Sequence, residues 1–299
     1  MVWDPPGIIG STIRCEFGTH LSVTDPRSWV VSGGQDLGSK RSACRGFGRR
    51  RKVTAVPHMF VNRPRQHAVL NPHASDRDNR RWEAINTGVY LVGGVMFVWG
   101  SVLFFPAFES RANRGAWIFF IASLMYIAVT AHDLLEVIRH RESLKGTPTI
   151  WERIEGWSAA AYLAGSLLFA VGSICFLSSV GMFTAGAVFF IVGSLLFVCG
   201  AVINVLQIIQ ARDLRILQYM NLTAITFVTG SMLFLVASVP YLFSLQSAAD
   251  TRTVDAFLAT QYVVGSALFL LGGAFNFVRA RLIDRGSAAS SDSGHGQTM

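Results

Sequence analysis

Between residues 156 and 211 the chain runs for fifty-six positions without an Asp, Glu, Lys, Arg or His. A helix of about twenty apolar residues crosses the hydrocarbon core of a bilayer, so this stretch is too long for one crossing and right for two. Ser178, Ser179 and Gly181 near its middle supply a turn, which predicts a hairpin with helices over 157–177 and 183–206. Four further apolar runs flank it. One covers 85–105 and stops at Pro106, Glu109, Arg111 and Arg114. Another covers 116–130 and continues, more polar, through His132, Asp133 and Glu136 to Arg139. The last two cover 219–243 and 256–278, the latter ending at Arg279 and Arg281. This pattern predicts an all-α polytopic integral membrane helix bundle, with six transmembrane helices in three repeated hairpins. The expected division is a basic, largely disordered arm (1–80), hairpin 1 (81–140), a solvated connector (141–156), hairpin 2 (157–211), hairpin 3 (212–282) and a disordered tail (283–299).

The six runs share a motif. The odd helices read Gly93-Gly94-x-x-Phe97-x-x-Gly100-Ser101, Gly165-Ser166-x-x-Phe169-x-x-Gly172-Ser173 and Gly230-Ser231-x-x-Phe234-x-x-Ala237-Ser238. The even helices read Ala122-Ser123-x-x-Tyr126-x-x-Val129-Thr130, Gly193-Ser194-x-x-Phe197-x-x-Gly200-Ala201 and Gly265-Ser266-x-x-Phe269-x-x-Gly272-Gly273. Small residues seven apart share a helix face after two turns and let a neighbouring backbone approach closely, which is how helices associate in lipid. Gly93, Gly100, Gly165, Gly172, Gly193, Gly200, Gly230, Gly265 and Gly272 are the expected packing positions, with the aromatics as wedges between helices.

Trp82, Asn86, Thr87 and Tyr90, the run from Gly93 through Trp99 to Ser101, and Gly115-Ala116-Trp117-Ile118-Phe119-Phe120-Ile121-Ala122-Ser123 resemble the YrhK-like domain, a two-helix membrane unit of bacterial proteins. The resemblance is best over 81–140, and the later hairpins look like diverged copies. It implies fold and membrane location and carries over no catalytic residue.

Composition agrees with the membrane class: 51% of residues are hydrophobic and 15% charged, where soluble domains run near a quarter charged. The net charge of +8 resides in the arm, where residues 1–81 hold 14 Lys and Arg against 6 Asp and Glu. The cluster Arg49, Arg50, Arg51 and Lys52 is read as an orientation signal, with contact to anionic lipid or nucleic acid as its other use, and Met59 is an alternative start. With the amino terminus inside, 23 of the 26 Lys and Arg fall on the cytoplasmic side, so both termini are expected in the cytoplasm and the chain in the cell (inner/plasma) membrane. Expected partners are membrane lipid, a second copy of the chain or another membrane protein, and no nucleic acid.

Candidate chemistry is sparse. Cys15, Cys44, Cys175 and Cys199 are too scattered for a disulfide framework or a metal site. There is no phosphate loop, His-Glu-x-x-His, Gly-x-Ser-x-Gly or Cys-x-x-Cys, so neither catalytic residues, metal nor cofactor are expected. What stands out is a polar level at the inner ends of the even helices: Asp133, Asn204 and Asn276 at equivalent positions, then Glu136, Gln207 and Arg279 three residues on, with His132 beside Asp133. Intramembrane polar groups are expensive and mark ion or proton paths, or hydrogen bonds between helix ends. Taking Trp117 as an outer-interface anchor, Asp133 lies sixteen residues further, roughly 24 Å deeper, at the inner interface. The leading reading is a non-enzymatic membrane protein acting through helix packing or partner contacts; the competing one is a channel or secondary transporter for an ion or small solute.

Overall fold

The computed structural model describes residues 56–57, 64–65, 76–143, 147, 149–207, 214–243 and 248–292. Expectations about the basic arm, including its disorder, its Arg49 to Lys52 cluster and a start at Met59, lie outside them. The chain forms α1 (Asp76–Val102), α2 (Ala112–Ser143), α3 (Ile150–Cys175), α4 (Phe183–Gln207), α5 (Leu214–Ser238) and α6 (Ala248–Asp292). All six are long and apolar enough to cross a membrane. Among the described residues the one extended pairing joins Val56–Pro57 to Pro64–Arg65.

Helix ends follow capping rather than apolarity. α3 starts at Ile150 because Thr149 and Glu152 form a reciprocal capping box, the Glu152 carboxylate accepting from the Thr149 amide at 2.8 Å. Helix therefore includes 150–156, half of the expected connector. The turn expected at Ser178, Ser179 and Gly181 lies between α3 and α4, where Gly181 takes φ +65° and its amide donates to the Leu177 carbonyl at 2.8 Å. A positive φ costs glycine nothing, which is why the hairpin can reverse in so few residues. α6 continues to Asp292, past the expected boundary at 282.

Each helix packs against its neighbours in sequence, and α6 packs against α1, so the six close into a ring. The burial period is seven. Along α1 the buried positions are Asn86, Thr87, Tyr90, Gly93, Gly94, Phe97, Gly100 and Ser101, and the other helices repeat the scheme of one aromatic followed three and four residues later by small residues. A strict seven-residue period keeps one face turned toward a partner along the whole length. Serines enter the small positions without desolvation cost, because Ser101, Ser123, Ser166, Ser173, Ser231 and Ser238 each donate to the carbonyl four residues earlier.

Inside the ring the aromatics interlock with the glycines of the facing helix. A Cβ on Gly172 would fall 2.6 Å from the Phe190 ring, and one on Gly193 would fall 2.8 Å from Phe169. The rings of α2, α4 and α6, which are not neighbours around the ring, meet in the middle. Phe119, Phe190 and Tyr262 have centroids 6.1, 6.2 and 6.4 Å apart. Odd-helix rings add further contacts, Phe97 to Phe169 at 6.4 Å, Phe169 to Phe234 at 5.4 Å and Tyr162 to Phe227 at 6.3 Å. The axis is thus a stack of aromatic rings. The outward faces carry exposed Val92, Val95, Leu167, Val171, Leu195 and Val202, as expected where the surrounding solvent is lipid.

Candidate functional site

At the end of the ring where α1, α3 and α5 begin and α2, α4 and α6 finish, the seven-residue scheme changes character. The position after Phe119 and Tyr126 is Asp133, that after Phe190 and Phe197 is Asn204, and that after Tyr262 and Phe269 is Asn276. On α3 the position one heptad before Tyr162 is Glu155. Slots that hold rings elsewhere here hold carboxylates and amides, and the small slots one turn on hold Glu136 and Arg279. Asp133, Glu136, Glu155, Asn276 and Arg279 are all buried, between 1% and 4% exposed. His132 sits at the rim and Asn204 is half-buried. Gln207 is the last residue of α4, and its side chain lies outside the described ones.

Two hydrogen-bonded groups are defined within this level. On α1 and α2 the Asn86 amide lies 3.3 Å from Nδ1 of His132, whose other ring nitrogen is 3.7 Å from the Glu136 carboxylate and whose Nδ1 is 4.0 Å from Asp133. The Trp82 indole stacks on the same imidazole, centroids 6.4 Å apart and planes 13° from parallel. On α3 and α4 the Ser158 hydroxyl donates to the Asn204 side-chain oxygen at 3.1 Å and lies the same distance from the Gly200 carbonyl, while the Asn204 amide donates to the Tyr162 hydroxyl at 3.2 Å. Tyr90 reaches across the α1–α6 seam instead and donates to the Phe269 carbonyl at 3.0 Å.

Glu155 corrects the sequence reading, which placed it in a solvated connector: it is 3% exposed on α3. Asn86, Thr87 and Ser158 are also buried there, and sequence reasoning missed them as site residues. The signal was present, since Asn86 and Ser158 precede Gly93 and Gly165 by seven, and Glu155 precedes Tyr162 by seven. Among the described residues no group of three or more His, Cys, Asp or Glu is arranged to hold a metal ion. The Trp82–His132 stack also fixes a depth. Exposed Trp82 and Trp157 stand at this end and exposed Trp99 and Trp117 toward the other, and residues 82 and 99 of one helix are separated by roughly 25 Å, close to a hydrocarbon core. The polar level therefore lies level with the exposed Trp82 and Trp157 at this end of the bundle.

No curated protein and no solved structure matches the chain. The family model described as YrhK-like protein matches it twice, over residues 80–138 and 152–209. Those two segments are α1 with α2 and α3 with α4, each an antiparallel hairpin with aromatics on one helix set against small residues of the other and a polar position one heptad beyond the aromatics of its second helix. Residues 80–138 and 152–209 are two YrhK-like units joined in one chain.

Proposed function

We propose that the chain is a non-enzymatic, multi-pass protein of the cell membrane that acts through contacts made within the bilayer, with a second copy or with another membrane protein. In this reading α5 and α6 are a third, diverged copy of the unit, and both termini face the cytoplasm, the side that the distribution of Lys and Arg favours. The observation that carries it is the filled axis: rings from α2, α4 and α6 meet at Phe119, Phe190 and Tyr262 with centroids 6.1 to 6.4 Å apart, in the middle of the bundle where a solute path would run. A closed bundle with an apolar perimeter offers its outer surface for contact.

Transport is the second reading, favoured by the burial of Asp133, Glu136, Glu155 and Arg279. A charged residue at a helix centre costs about 2.5–3.5 kcal/mol on insertion scales, so such groups are retained for a reason. Their place beside Trp82 and His132 lowers that cost and leaves the solid half of the bundle between them and the other side. The deciding measurement is flux in proteoliposomes together with the mass of the complex released from native membranes. A complex larger than one chain, and no uptake of protons or small cations above empty vesicles, supports contact function. Uptake that vanishes in Asp133→Asn would overturn it.

A further inference from the structure

We infer that the end of the bundle bearing the polar level binds anionic phospholipid headgroups of one leaflet, with the α2–α3 seam as the main seat. The inference rests on the membrane placement of the helices. Arg81 on α1, Arg139 and Arg141 on α2, Arg153 on α3, Arg215 on α5 and Arg281 on α6 are all exposed, and the antiparallel order of the ring puts all of them at this one end. Among the described residues Glu142 is exposed there, while the Glu152 carboxylate is engaged by the Thr149 amide, and Asp133, Glu136 and Glu155 are turned into the bundle with Arg279. At the opposite end Arg111, Arg114 and Arg252 share the surface with Glu109 and half-buried Asp255.

The α2–α3 seam concentrates this charge. The Arg141 guanidinium lies against α3 at Gly156, 3.8 Å from where a Cβ would be, an ordinary contact distance that places it in the α2–α3 seam. Arg153 stands one turn before Gly156 on α3, while Arg139, half a turn before Arg141 on α2, points from another face of that helix and adds charge at the same depth. Trp157, 73% exposed, follows directly and marks the headgroup depth. Guanidinium groups grip phosphate oxygens through paired N–H donors, and a phosphodiester at that depth meets them without leaving its leaflet. The ligand is therefore a negatively charged phospholipid, not a free anion.

The test is native mass spectrometry of the purified full chain titrated with equal amounts of phosphatidylglycerol and phosphatidylcholine. Phosphatidylglycerol should bind preferentially, should resist competition by millimolar inorganic phosphate, and should lose about tenfold in affinity in the Arg139→Gln, Arg141→Gln, Arg153→Gln triple variant. The matching triple Lys variant should keep most of the binding. Equal binding of the two lipids, displacement by phosphate, or an unchanged triple Gln variant would each overturn the inference. If the Gln variant loses its helix content, the lipid and phosphate competitions on the unaltered chain decide alone. Alkaline carbonate extraction checks the underlying membrane placement separately, because a chain released to the supernatant defeats that reading whatever the lipid preference.

Discussion

The Phe197 ring occupies the space where a side chain on Gly165 would begin. A Cβ there would come within 2.7 Å of the ring and 3.0 Å of the Gly193 carbonyl oxygen, so neither the ring nor the facing backbone leaves room for a methyl group. Gly165→Ala should therefore destabilise the bundle by about 1–3 kcal/mol through overpacking. Gly88→Ala is the control: nothing lies within 4 Å of its Cβ, and it should be neutral or gain up to about 1 kcal/mol of helix propensity. Thermal denaturation of both variants in one detergent separates the two effects. Equal melting temperatures would mean that α3 and α4 are not this close.

Tyr162, Asn204 and Ser158 form a part-buried chain whose value can be measured. The equivalent slot on α5 is occupied by Phe227, so a phenyl ring fits there, and Tyr162→Phe removes little but the bond from the Asn204 amide. The expected cost is about 0.6 kcal/mol, typical of interhelical hydrogen bonds in membranes. Asn204→Leu also removes one of the two acceptors of Ser158, whose hydroxyl keeps the Gly200 carbonyl, and should cost about 0.5–1.5 kcal/mol. A double-mutant cycle on Tyr162 and Asn204 should give a coupling near the single bond's value. Coupling of zero would show that the bond contributes nothing in the membrane.

Glu155 and Glu142 differ in accessibility although both fall in the charged region between the first two hairpins. Glu155 is 3% exposed against the α3 heptad face and Glu142 is exposed on α2. With the four native cysteines replaced, a cysteine at 142 should react readily with a water-soluble maleimide in detergent and one at 155 much more slowly. Comparable rates would return residue 155 to a solvated connector.

That contrast shows where the sequence was informative. Six helices and their small-aromatic pattern were legible because insertion in lipid and close packing both write their demands into apolarity and period. Helix ends were not, because α3 starts where Thr149 caps it, ahead of Glu152, Arg153 and Glu155, whose charge assigns the segment to a loop. The polar level was visible on α2, α4 and α6 as the break in the repeat at Asp133, Asn204 and Asn276. Its odd-helix members were hidden for two reasons: Glu155 precedes the uncharged stretch, and the repeat was not followed back one heptad from Gly93 and Gly165 to Asn86 and Ser158. Which groups bond was beyond reach: Tyr90 and Tyr162 hold equivalent slots, yet one donates across the α1–α6 seam and the other takes the Asn204 amide.

Closure of the ring is the feature that repeats could not foretell, because three equivalent hairpins can also lie in a row. Here the Ser101 and Ser266 hydroxyl oxygens are 3.0 Å apart across the α1–α6 seam, Gly94 faces Leu270, and Gly273 leaves space for the Tyr90 ring. Side chains meeting so closely bring their Cβ atoms within disulfide reach. In a chain lacking its native cysteines, Ser101→Cys with Ser266→Cys should therefore cross-link under mild oxidation. A protease site placed between residues 243 and 248 reports it, because the two fragments stay together only when bridged. Ser173→Cys with Ser266→Cys is the control, since α3 stands opposite α6 in the ring and the pair should remain unlinked, letting the fragments separate. A row of hairpins leaves 101 and 266 unlinked and the fragments separate, an outcome incompatible with a closed bundle and its filled axis.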